Sequence, residues 1–309
     1  MAKANAVLVW LTGLAVLIAH SAFGEEPASL AHRLQFCTIR IEVTKADGGH
    51  TGTGFFFSFA TAGKTSSIPT IVTCKHLIEG ATTGRLFFSR VDSNVLDQAG
   101  QPATVEVVNF ERMWVLHPDT NIDLCAMPIA QVLRESEQHG IYLRFAPLDE
   151  SLMSKHEPDP DLDVLQQIVL IGYPIGIWDA ANNFPISRQG IAATDPNQNY
   201  NGKPEFLIDA ACFPGSSGSP VFQFNEGAYL TKGHLMGGSR LRLLGVLYAG
   251  PQYTAEGTLV VRSIPTALEQ RSTTNTVTRI PTNLGIVIKA RALLEFEKVF
   301  EKLTPPAKK

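Results

Sequence analysis

A chain of 309 residues that is 44% hydrophobic and only 18% charged carries enough apolar material for a large core, which excludes a disordered or collagen-like polymer. A net charge of -3 without any long Lys/Arg cluster excludes the usual electrostatic footprint of a nucleic-acid binder. One large domain and two small ones both remain open at this length.

The first 24 residues read as an export signal. Lys3 precedes an apolar run from Ala6 to Ala19, and a small-x-small end follows at Ala22-Phe23-Gly24. The run has 14 residues, short of the roughly 20 that cross a bilayer, which argues against an uncleaved anchor. Cleavage before Glu25 would leave residues 25–309 as an exported chain, periplasmic or secreted, of net charge -4. No membrane insertion is expected after that step.

From 35 to 130 the chain offers short β-like runs broken by turn residues. Cys37, Ile39, Ile41 and Val43 alternate with polar neighbours, the period of a strand with one buried face. Further strands are predicted at Gly54 to Phe59, Thr70 to Cys74, Arg85 to Arg90, Val105 to Phe110 and Leu124 to Ile129. Residues 131–163 read as a connector, with a helix-tolerant stretch from Gln131 to Gln138. A second β series at 164–288 has candidates at Leu165 to Gly172, Ile186 to Ala193, Glu205 to Ala211, Pro220 to Phe224, Leu241 to Ala249 and Leu284 to Ile288. Each series has about six strands, enough to close a small barrel.

The tail at 289–303 places Leu293, Leu294, Phe296, Val299, Phe300 and Leu303 at helical spacing, predicting an amphipathic helix docked on the second half and stopped by Pro305-Pro306. Only six residues follow Leu303, so no appended peptide-binding domain is expected. The four cysteines, Cys37, Cys74, Cys125 and Cys212, are too few for a disulfide scaffold, and their pairing is not readable from sequence. Each lies in an apolar strand-like run and reads as a buried thiol. Cys74 with His76 hints at a metal pair, but no second pair at zinc-ligand spacing accompanies it, and no metal is expected.

Three segments carry chemistry. In Phe213-Pro214-Gly215-Ser216-Ser217-Gly218-Ser219-Pro220, glycines flank Ser217, which suits a hydroxyl on a tight turn with free backbone N–H groups beside it. A Gly/Ser loop without chemistry is the plainer reading of that segment alone. In Ile71-Val72-Thr73-Cys74-Lys75-His76, an apolar strand ends at a histidine, a rigid position for a general base. In Asn121-Ile122-Asp123-Leu124-Cys125, a carboxylate begins an apolar strand, where it can orient an imidazole. Asp119, in His117-Pro118-Asp119, reads as a turn residue instead.

With these segments the sequence resembles the trypsin-like serine peptidases, nearest the bacterial Deg/HtrA type without a PDZ domain. The resemblance rests on Gly52-Thr53-Gly54-Phe55, Thr73-x-x-His76, Asp123-Leu124-Cys125-Ala126, Ile171-Gly172-Tyr173-Pro174-Ile175-Gly176, Gly190-Ile191-Ala192-Ala193, Asp209-Ala210-Ala211 and Gly215-x-Ser217-Gly218-x-Pro220. They run from about 35 to 288 in the family's order. The resemblance implies an all-β fold of two six-stranded antiparallel barrels with a C-terminal α-helix. It implies Ser217 as nucleophile, His76 as base, Asp123 as orienting carboxylate and the N–H groups of Gly215 and Ser217 as oxyanion hole, with no cofactor.

Two departures stand out. Ser216 occupies the place of the acid that pairs with a new N-terminus in zymogen-activated relatives, and Ser219 replaces a glycine, where its side chain could crowd the turn. The resemblance also places a specificity pocket at Ala211 and Cys212, both uncharged, and a substrate-pairing strand at Tyr248, Ala249 and Gly250, implying a small or medium apolar residue before the scissile bond. The expected partners are polypeptide substrates, self-assembly stays open, and the rival reading is a catalytically silent module of the same fold that binds peptides or a protein surface.

Overall fold

The computed structural model describes residues 29–61, 66–91, 102–231, 233–260 and 273–303. The predicted signal peptide at 1–24 and the Pro305-Pro306 stop lie outside the described residues.

A short helix α1 (Leu30–Leu34), whose first turn is capped by the Ser29 hydroxyl, leads into β1 (Thr38–Lys45). The first module continues through β2 (Gly48–Ala60), β3 (Ser67–Thr73), α2 (Lys75–Ile78), β4 (Thr83–Arg90), β5 (Ala103–Val108), β6 (Val115–Leu116), β7 (Cys125–Pro128), α3 (Ala130–Gln138) and β8 (Leu143–Arg144). Its strands pair in the order β5-β4-β1-β2-β3-β7-β6, with β8 added to β4, so it has eight strands where about six were expected. The two extra ones, β6 and β8, span two residues each, too short to leave a periodic pattern.

The second module contains β9 (Gln167–Gly172), β10 (Ile186–Ala192), β11 (Glu205–Asp209), β12 (Pro220–Asn225), β13 (Ala228–Thr231), β14 (His234–Gly237), β15 (Arg240–Ala249), β16 (Gln252–Val260), β17 (Thr273–Pro281) and β18 (Leu284–Lys289). Six of these close into a barrel in the order β10-β11-β18-β15-β12-β9, while β13-β14 and β16-β17 form two separate hairpins. Two β modules and a C-terminal helix, α4 (Glu295–Leu303), are the architecture anticipated from the sequence.

The alternation of β2 builds two cores at once. Phe56 enters the core of the first module with Ile39, Ile41, Ile71 and Phe88. Phe55, Phe57 and Phe59, on the opposite face, enter a seam shared with Phe222, Leu243 and Val246 of the second module. A strand buried on both faces must be apolar throughout, which explains the run Phe55-Phe56-Phe57. β1 is also buried on both faces, contrary to its one-faced pattern: Arg40 is only 5% exposed, its guanidinium lying 3.6 Å from the Phe87 ring and 3.8 Å from that of Trp178.

The tail corrects a second expectation. Its first turn, Ala290–Leu294, is a 3-10 helix, and α4 reaches back to the first module instead of resting on the second half alone. The Phe296 and Phe300 rings stand 5.6 and 5.3 Å from Phe59, and the His117 ring Nε2 pairs with the Ala292 carbonyl at 3.0 Å. Helical spacing shows that one face of a helix is apolar but not which surface that face covers. Phe59→Ala should therefore unlatch the helix and open the seam together, lowering the unfolding free energy in urea by about 3–5 kcal/mol.

Candidate active site

His76 lies in the first turn of α2, immediately after β3. Its backbone N–H donates to Asp123 Oδ1 at 3.0 Å and its ring Nδ1 pairs with Asp123 Oδ2 at 2.5 Å. One carboxylate thus fixes both the main chain and the ring of the histidine. The ring stays half exposed while Asp123 is largely covered. Asp119 instead caps its own turn, accepting from the Asn121 backbone N–H at 2.8 Å.

The Ser217 loop is seated across the seam by the first module. Thr53 N–H donates to the Ser217 carbonyl at 3.0 Å, Thr53 Oγ1 donates to the Gly215 carbonyl at 2.9 Å, and the same hydroxyl accepts from Tyr173 N–H at 2.9 Å. Thr73 Oγ1 in turn donates to the Thr53 carbonyl at 2.7 Å. Gly218 fits this contact only as glycine, since its φ is +88° and a Cβ would stand 1.9 Å from the Thr53 carbonyl oxygen. Leu247 carries a second bridge: its carbonyl accepts from Gly218 N–H at 2.7 Å and from the Cys74 thiol at 3.6 Å. One acceptor therefore holds the residue after Ser217 and the residue two before His76.

Two peptide N–H groups on the loop are left open. The Pro214 carbonyl accepts from Ile175 N–H at 2.6 Å and the Ser216 carbonyl accepts from Ser219 N–H at 3.0 Å. A trans peptide points its N–H opposite its C=O, so the N–H groups of Gly215 and Ser217 are turned away from those partners. Neither donates to a protein acceptor among the described residues. Ile175 is held at φ +52°, a costly conformation for a β-branched residue, in the segment that orients the Gly215 peptide.

The Ser217 hydroxyl donates to the Tyr248 carbonyl at 3.1 Å, and it shares no hydrogen bond with His76 among the described residues. Ser219 does not crowd the turn as its sequence position suggested. Fully buried, it points toward Gly172, where a Cβ would approach its Oγ to 2.0 Å, so the missing side chain of Gly172 makes the room.

Around the anticipated pocket, Gly285 faces Cys212, with a Cβ at Gly285 falling 2.7 Å from Cys212 Sγ, and Gly250 packs near the Cys212 Cβ. The Tyr248 hydroxyl donates to Glu205 Oε1 at 2.8 Å, and burial first, then this carboxylate, raises the phenol's pKa. The β10–β11 register also brings Arg188 opposite the turn that follows β11. Its Nη1 is buried without a hydrogen-bond partner, and its guanidinium lies 5.3 Å from the Phe213 ring. Arg188, Thr53, Thr73, Leu247 and Gly285 were not singled out from sequence. Thr53 and Thr73 were visible as members of motifs, and Arg188 becomes visible only through strand register.

All four cysteines are buried and unpaired. Burial pushes the Cys74 and Cys125 thiols well above the usual range, the nearby Asp123 charge adding to it, and pushes Cys212 up to about 11, with Arg188 opposing. Cys74, His76 and Asp123 offer ligand atoms within 4.8 Å of one another. As a metal set they fit poorly, because a neutral thiol is a weak ligand and Nδ1 already bonds the carboxylate.

A family model described as a trypsin-like peptidase domain matches residues 52–230. A comparison with curated proteins gives no match. Among solved structures, the chain is similar to an inactive form of Rv3671c from Mycobacterium tuberculosis H37Rv at 12% identity, covering 93% of this chain and 99% of that one, with a TM-score of 0.42. It is similar to a serine endoprotease from Yersinia pestis at 17% identity, covering 90% and 68%, with a TM-score of 0.45. It is similar to the HtrA-type protease AlgW at 13% identity, covering 88% of this chain and 62% of that one, with a TM-score of 0.44.

The dual role of the Thr53 hydroxyl can be checked directly. Thr53→Val keeps the shape but leaves Tyr173 N–H and the Gly215 carbonyl unpaired in the seam, and should lower the unfolding free energy by about 1–3 kcal/mol, with Thr53→Ser recovering most of the loss.

Proposed function

Because the chain belongs to the trypsin-like peptidase family, we propose that it is an exported serine endopeptidase in which Ser217 attacks the scissile carbonyl of a polypeptide. The observation that carries this reading is the pairing of a doubly anchored imidazole, His76 on Asp123, with a serine loop whose Gly215 and Ser217 N–H groups are unengaged. His76 takes the Ser217 proton through Nε2 and later delivers it to the leaving amine. Asp123, bonded at Nδ1, fixes the tautomer and stabilises the imidazolium. The two N–H groups donate to the negative oxygen of the tetrahedral intermediate, and water releases the acyl group from Ser217. A turn of the hydroxyl away from the Tyr248 carbonyl precedes the first step. Export rests on the pattern of Met1 to Gly24. Among the described residues, no helix is long and apolar enough to cross a membrane.

The bond from Ser217 Oγ to Tyr248 favours one rival reading, a silent peptide-binding module of the same fold. An aryl phosphonate separates the two, since an enzyme acquires a covalent adduct on Ser217 and a silent module, though folded, does not. Ser217→Ala should abolish hydrolysis of denatured casein while the unfolding free energy stays within about 1 kcal/mol. Ser216→Ala and Ser219→Ala should keep measurable hydrolysis; loss in Ser219→Ala with retention in Ser217→Ala would move the nucleophile.

Ala211 and Cys212, where the resemblance puts the specificity pocket, are uncharged and suit a small or medium apolar side chain, and the Arg188 cation near Cys212 opposes a basic one. Peptides with Val or Ala before the scissile bond should exceed matched Arg or Lys peptides in kcat/KM by at least about tenfold, the scale of one unpaired buried charge or more.

A further inference from the structure

We infer that β16 prolongs the substrate-binding edge, so that the part of a polypeptide lying upstream of its scissile bond adds as a strand along Tyr248, Gly250, Gln252, Thr254 and Glu256. This rests on the peptidase reading above and specifies the substrate as a long, extended segment.

The β15–β18 ladder ends with Ala249 opposite Ile286, and the β16–β17 ladder takes up, shifted in register, with Gln252 opposite Pro281. Thr282 joins the two by donating to the Pro251 carbonyl through both its N–H, at 3.3 Å, and its hydroxyl, at 2.9 Å. β18 therefore covers one edge at Ala249, and β17 covers the same edge from Gln252 to Val260. Among the described residues no strand pairs with the other edge of β16.

Backbone contacts show which groups face that open edge. The Tyr248 carbonyl meets the Ser217 hydroxyl, so it faces the cleft. The β15–β18 ladder carries a bulge at Tyr248, and Gly250 and Pro251 lie between the strands, so the facing of the β16 groups is read from β16 and its own partner. The Pro251 carbonyl points to Thr282 on the covered edge, so alternation counted from it places the backbone groups of Gly250, Gln252, Thr254 and Glu256 on the open edge. Pro281 lacks an N–H and could not complete a hydrogen-bonded pair with Gln252, as expected if the groups of Gln252 point outward.

A segment paired antiparallel to this edge with its scissile carbonyl at Ser217 carries its upstream residues past Gly250 and out along β16. At about 3.4 Å per residue, the edge from Tyr248 to Glu256 accommodates roughly eight or nine upstream residues. Affinity comes from main-chain hydrogen bonds, the mode of strand addition, so the substrate must be unfolded over that length and free of proline at the bonding positions. Tyr253 and Ile280, opposite each other and 64% and 46% exposed, add an apolar platform on one face of the hairpin.

The test compares quenched fluorescent peptides sharing the residues around one scissile bond, with four residues upstream, nine upstream, or four upstream and nine downstream. The nine-upstream peptide should exceed the four-upstream one in kcat/KM by about tenfold or more, and downstream extension should not reproduce the gain. Thr254→Pro should bring the ratio to within about twofold of one, and N-methylation of the upstream peptide at its bonding N–H groups should do the same with the unaltered protein. Equal rates for all lengths, or an equal gain from downstream extension, overturn the inference while leaving the peptidase intact. No cleavage of any peptide, together with no phosphonate adduct on Ser217, overturns both.

Discussion

The contact between Thr53 and the turn from Gly215 to Gly218 is the constraint on which the rest of this structure depends. Its N–H, hydroxyl and carbonyl meet, in order, the Ser217 carbonyl, the Gly215 carbonyl with the Tyr173 N–H, and the Thr73 hydroxyl. A buried threonine with all its polar groups engaged leaves its neighbours no alternative partners. The approach is close enough that the Gly218 position admits no side chain. The serine turn is therefore located by the first module although its sequence lies wholly in the second.

Apolar burial supplies the force that closes this seam, and hydrogen bonds supply its direction. The odd-numbered phenylalanines of β2 pack with Phe222, Leu243 and Val246 from the second barrel and with Phe296 and Phe300 from α4. Such packing is strong and nearly isotropic, so it would tolerate small sliding of one module over the other. The Thr53 contacts and the Leu247 carbonyl remove that freedom. Leu247 matters because it touches both sides, taking the Gly218 N–H and the Cys74 thiol.

The site also illustrates how burial assigns chemistry. Four thiols lie in the chain, yet desolvation holds Cys74, Cys125 and Cys212 protonated, and the Asp123 charge reinforces this for the first two. The Tyr248 phenol is kept neutral in the same way and serves as a donor to Glu205. Outside this burial stand a half-exposed imidazole, the Ser217 hydroxyl on the Tyr248 carbonyl and two peptide N–H groups without a protein acceptor among the described residues.

Local pattern by itself determined the β character of both halves and the tail helix, because alternation and helical spacing reflect the period of the backbone. It also marked His76, Asp123 and Ser217, each inside a short segment whose turn or strand end depends on its own neighbours. It could not show the hairpin β13–β14, whose strands bury little and so lack an alternating signal, nor the hairpin β16–β17. Nor could it show that Phe59 meets α4, that Gly172 makes room for Ser219, or that Arg188 stands beside Cys212 and Phe213. The bond between His76 and Asp123 joins residues 47 apart, and the Thr53 bond to Gly215 joins residues 162 apart. Contacts of that range depend on how two modules dock, and docking is a property of complementary surfaces that no single segment contains.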